Sequence, residues 1–117
     1  MSEDLRRLAL KNGIEQLYDE ELKYLVEHVE ALKPVLEKDF KVETIGVFGS
    51  YCRGEQTKKS DVDVLVEFAK DAHIGLFKYV DLELFLSDQL GIKVDLVMKD
   101  GLKPSLKDQI LNEVVYV

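Results

Sequence analysis

The chain has 117 residues, 46% of them apolar and 33% charged, with two prolines and seven glycines. This suffices for one compact domain and excludes collagen-like, low-complexity and mucin-like chains. Sixteen basic against twenty-three acidic side chains leave a formal charge of −7, which repels a nucleic-acid backbone and argues against nucleic acid as a partner.

The acidic start Met1-Ser2-Glu3-Asp4 is unlike a signal peptide, and no apolar run nears the roughly 18 residues of a membrane span. No membrane association is expected. The single cysteine, Cys52, supports neither an intrachain disulfide nor a thiolate zinc site, which fits a cytoplasmic protein.

Ser2, Glu3 and Asp4 can start a short helix carrying Leu5, Leu8 and Leu10, stopped by Asn12-Gly13. Asp19 can cap a second helix with Leu22, Leu25, Val26, Val29 and Leu32 on one stripe; Pro34 kinks or ends it unless Val35 and Leu36 extend it. Val42–Phe48 is short and rich in β-branched residues and closes at Gly49, as a buried strand does. A polar loop over Gly54–Ser60 leads to the strand Val62–Phe68, whose Val62, Val64, Val66 and Phe68 oppose Asp61, Asp63, Leu65 and Glu67. Gly75–Leu90 is a proline-free apolar helix ending at Gly91, and Ile92–Met98 alternates again. Pro104 opens a helix through Leu111, and Val114–Val117 is a last strand or a docked tail. This order predicts a single α/β domain with helices packed on a small sheet, the connectivity of its strands left open.

The chemistry gathers in Gly49-Ser50-Tyr51-Cys52-Arg53-Gly54 and Ser60-Asp61-Val62-Asp63. A Gly-Ser turn between strand and helix aims backbone amides and a hydroxyl at one spot, the arrangement that binds phosphate, and Arg53 adds a fork of donors. Asp61 and Asp63, two apart on a strand, leave the same face. Such charges repel by roughly 4 kcal/mol at about 4 Å and a dielectric near 20, so a divalent cation is the economical counter-charge. Asp95 sits mid-strand, where aspartate is disfavoured. If its strand neighbours that of Asp61 and Asp63, three carboxylates supply oxygen ligands for one or two Mg²⁺ ions.

These residues together, Gly49-Ser50-x-x-Arg53-Gly54, Ser60-Asp61-x-Asp63 and the later Asp95, resemble the DNA polymerase β superfamily of nucleotidyltransferases. The resemblance is closest to the minimal nucleotidyltransferases, the MntA-type antitoxins paired with HEPN-domain toxins, and covers about Val42–Val117. It implies a polymerase β palm-like fold, a small mixed sheet with helices packed on it, with residues 42–117 as catalytic core; residues 1–40, outside the resemblance, read as an N-terminal helical extension. It further implies that Gly49, Ser50, Arg53 and Ser60 bind the nucleotide, that Asp61 and Asp63 hold the metals, and that Asp95 completes the metal site and activates the incoming hydroxyl.

By the same resemblance, the reaction is Mg²⁺-dependent transfer of AMP from ATP to a tyrosine of a cognate HEPN toxin, with the acidic surface disfavouring nucleic-acid acceptors. Homo- or hetero-oligomeric assembly stays open. Two other readings stand beside it: a small-molecule nucleotidyltransferase of the aminoglycoside-resistance kind, and a non-catalytic antitoxin that sequesters its partner. The last has no need of Asp61, Asp63 and Asp95 together. His28 and His73 read as surface histidines, Tyr51 as wall packing, and Cys52 as packing beside the turn, with Arg53 near enough to activate its thiol mildly.

Overall fold

A computed structural model describes residues 20–117; the expected helix over Ser2–Leu10 and the Asp19 cap lie outside them. Helix α1 (Glu20–Phe40) leads into strand β1 (Val42–Phe48), the single-turn helix α2 (Ser50–Arg53) and strand β2 (Val62–Phe68). Helix α3 (Leu76–Leu90), strand β3 (Val94–Met98), a 3₁₀ turn at Lys99–Gly101, helix α4 (Pro104–Glu113) and strand β4 (Val115–Tyr116) complete the chain. Of the expected strand or tail Val114–Val117, the middle pair Val115–Tyr116 is a strand. No helix among the described residues is long and apolar enough to cross a membrane.

Pro34 does not end α1. It lies on the exposed face, so the carbonyl that its missing N–H leaves unpaired one turn earlier can turn to water, while Leu36 and Phe40 bury beyond it. Lys41, in the left-handed region at φ 56°, then breaks the helix and turns the chain into β1.

The sheet order is β3-β2-β1-β4, mixed in direction: β1 is antiparallel to β2 and to β4, while β2 and β3 run parallel, joined by the α3 crossover. Strand alternation divides the core. Val62, Val64, Val66, Val94 and Leu96 face α1 and α3, packing with Leu22, Leu25, Val29, Leu82, Leu86 and Leu90. On the opposite face Phe48 and Leu65 pack with Ile110 of α4. That second face is only partly roofed, and the acids emerge on it.

Helix α3 also seals the outer edge of β3. Ser87 Oγ accepts the Val94 amide at 2.9 Å, Glu83 Oε2 accepts the Leu96 amide at 2.9 Å, and the Tyr79 hydroxyl donates to the Leu96 carbonyl. These three side chains recur every four residues, so one stripe of the helix satisfies backbone groups that an edge strand leaves bare.

Candidate active site

The parallel register pairs Val62 with Val94 and Asp63 with Asp95, so the two aspartates stand abreast on the face that α4 partly roofs. On the other side of β2, Phe48 pairs with Asp63, which brings the end of β1 and the Gly49 turn to the same place. Between sheet and α4 opens a cavity of about 410 Å³ whose wall includes Gly49, Arg53, Asp63, Asp95, Gln109 and Glu113. Strand pairing alone thus collects residues that are 46 positions apart in the chain.

Gly49 adopts φ 81°, ψ −150°, a conformation closed to residues with a side chain. Its backbone lies against Asp63: a Cβ at Gly49 would stand 2.1 Å from Asp63 Oδ2. Burial, then the neighbouring charges of Asp95 and Asp61, push the Asp63 carboxyl up to about 6. Negative charge is therefore concentrated at this end of β2 and β3, and the fold disfavours the ionised Asp63 carboxylate.

The expected residues do not all converge. Asp61 precedes β2, is half-exposed and lies 3.9 Å from Lys93 Nζ; it is not part of the cavity wall. Ser60 Oγ accepts the Thr57 amide at 2.8 Å, closing the loop before β2, and Ser50 opens α2 beside the cavity without lining it. Among the described residues no three His, Cys, Asp or Glu side chains form a ready-made metal cage. The donor chemistry still fits Mg²⁺, which takes one or two carboxylates and completes its shell with water and substrate phosphates; Asp63 and Asp95 provide that pair.

Glu113 was not among the candidates drawn from the sequence. Its carboxylate accepts the Gly49 amide at 3.0 Å and Arg53 Nη1 at 3.0 and 3.1 Å. The sequence carried one signal of it: an acid at the C-terminal end of a helix opposes the helix dipole and needs a reason to be there.

The nucleotidyltransferase domain family matches residues 29–117 of this sequence. The chain belongs to that family. Among relatives of this nucleotidyltransferase, the protein adenylyltransferase MntA of Thermococcus cleftensis is 49% identical over 87 residues, covering 74% of this chain and 86% of the relative. A solved structure described as a minimal nucleotidyltransferase superposes with TM-score 0.67 at 34% identity, covering 80% of this chain and 92% of that one. A crystal structure of a toxin–antitoxin with AMP-PNP superposes with TM-score 0.60 at 28% identity, over 74% of this chain and 70% of that one. The nucleotidyltransferase resemblance read from Gly49 to Asp95, and the mixed sheet it implied, are thereby shown.

Other side chains of this nucleotidyltransferase take structural places. Tyr51 is buried in the main core. The Cys52 thiol donates to the Val47 carbonyl at 3.0 Å, and burial pushes it up to about 12, so proximity to Arg53 does not activate it. His28, exposed, meets the Tyr24 carbonyl one turn back in α1.

Proposed function

We propose that this nucleotidyltransferase is a Mg²⁺-dependent protein adenylyltransferase, which moves AMP from ATP to a tyrosine of a cognate HEPN toxin and so acts as its antitoxin in the cytoplasm. The observation that carries the reading is the pairing of Asp63 with Asp95 in one cavity with Gly49 and Arg53. The kinship with a protein adenylyltransferase and with a toxin–antitoxin structure holding a nucleotide supports the acceptor class.

In this reading residues 42–117 are the catalytic core. Gly49, Ser50 and Arg53 bind the triphosphate, Ser60 closes the loop before β2, and Asp63 and Asp95 hold metal, with Asp61 as the flanking acid of the set. Mg²⁺, when bound, neutralises charge on the phosphates and draws them to the carboxylates. The acceptor oxygen forms a bond to the α-phosphorus, the bond to the bridging oxygen breaks and pyrophosphate leaves. Asp95, the more exposed of the paired acids, takes the acceptor's proton. Positioning and electrostatics carry such transfers.

Intact-mass spectrometry tests the proposal. The chain, its genomic-neighbour HEPN protein and MgATP are mixed, and the partner is expected to gain one or more adenylyl groups on tyrosine and lose ribonuclease activity. Asp95→Ala should leave it unmodified. A partner silenced with no mass change, and equally by Asp95→Ala, would replace the enzyme with a sequestering antitoxin. Transfer to an aminoglycoside and not to the protein would make the acceptor a small molecule.

A further inference from the structure

Glu113 ends α4, and its side chain is 17% exposed. The β1–β4 register pairs Gly46 with Tyr116 and Val47 with Val115. Continued two residues, it sets Gly49 opposite Glu113, where the backbone ladder has ended. There the Glu113 carboxylate takes the amide that a strand carbonyl would have taken, at 3.0 Å. The carbonyl of Gly49 is held from the other side, accepting the amides of Cys52 at 2.9 Å and Arg53 at 3.2 Å.

The same carboxylate grips Arg53 Nη1 with both oxygens. The other acid on this guanidinium, Glu55, is 61% exposed and screened by water. Glu113 is therefore the sheltered anchor of both the strained turn and the arginine. Without it the part-buried Gly49 amide loses its acceptor, and Arg53 is left to a solvated neighbour.

We infer that Glu113 is a positioning residue for the nucleotide: it fixes the Gly49 turn and the Arg53 guanidinium in the orientation that receives the triphosphate. This rests on the reading of Gly49 and Arg53 as phosphate donors. Glu113 itself carries the wrong charge to touch a phosphate, and it acts through the two donors that it holds. Its place is set by β4, so the last strand of the sheet carries the brace of the site.

Calorimetric titration with ATP in Mg²⁺ buffer tests this on wild type, Glu113→Gln, Glu113→Asp, Arg53→Ala and the Glu113→Gln/Arg53→Ala pair. Glu113→Gln should raise the Kd about tenfold and the KM for ATP in step, with kcat changed far less. Glu113→Asp, which keeps the charge on a shorter stem, should lose part of this and carries the test if the glutamine variant does not fold. The paired variant should lose less than the product of the two single losses, because one member acts through the other.

A Kd for Glu113→Gln within twofold of wild type overturns the inference. So does a tighter Kd, which would make the carboxylate a competitor of the phosphates, and so does a fully multiplicative pair. A wild-type chain that binds no ATP overturns the nucleotide reading and this inference with it; binding that is intact and indifferent to Glu113 overturns the inference alone.

Discussion

Gly49 has the least freedom of any residue at the site. Replacing it with alanine forces a side chain into a backbone region that excludes one, against a carboxylate oxygen 2.1 Å away. Gly49→Ala should lower stability by about 1–3 kcal/mol and abolish ATP binding, read from a thermal melt and a titration. Asp63 predicts the opposite sign for stability. Its carboxyl is raised from 3.8 to about 6, so the fold favours the protonated form: the stability contribution is full below 3.8 and is lost as pH rises through about 6. A sealed interior would make that about 3 kcal/mol, and solvent at this half-exposed residue reduces it to about 1 kcal/mol. In metal-free buffer at pH 8, Asp63→Asn should therefore melt about 5 °C higher than wild type, an advantage that shrinks as pH falls toward 4. An unchanged or lowered melting point at pH 8 would mean that the carboxylate has a structural partner.

At the level of elements, α1 offers a gain in stability from one exposed position. Pro34 forgoes a helical hydrogen bond without burying anything in return, so Pro34→Ala should raise unfolding free energy by about 1–3 kcal/mol, measured by urea denaturation. The stripe Leu22, Leu25, Val26, Val29 was legible in the sequence because it precedes the proline at helical spacing, whereas the continuation of the helix to Leu36 and Phe40 depended on which face Pro34 occupies. Alternation likewise made β2 and β3 legible, and mid-strand Asp95 announced itself by its poor propensity. What spacing could not give was the order β3-β2-β1-β4, which puts Asp95 beside Asp63 and leaves Asp61 near Lys93. Nor could it give Glu113, whose partner amide is 64 residues away and whose role depends on a two-residue strand.

The whole molecule carries a charge of −7 and, on the proposal above, must accept a polyanion beside two paired aspartates. Binding of ATP should therefore weaken at least about tenfold when Mg²⁺ is removed with chelator; equal affinity in titrations with and without metal would take the carboxylates out of the nucleotide site. Association with other proteins is constrained by a different feature. The rim of β3 is closed by Tyr79, Glu83 and Ser87 of α3, and β1 and β2 lie inside the sheet. Among the described residues, the β4 side is the sheet edge not bordered by α3, and it begins two residues from Glu113. A foreign strand added at that edge would press on the segment whose Glu113 holds the Gly49 amide, so lengthening the sheet there and steadying the turn draw on the same few residues.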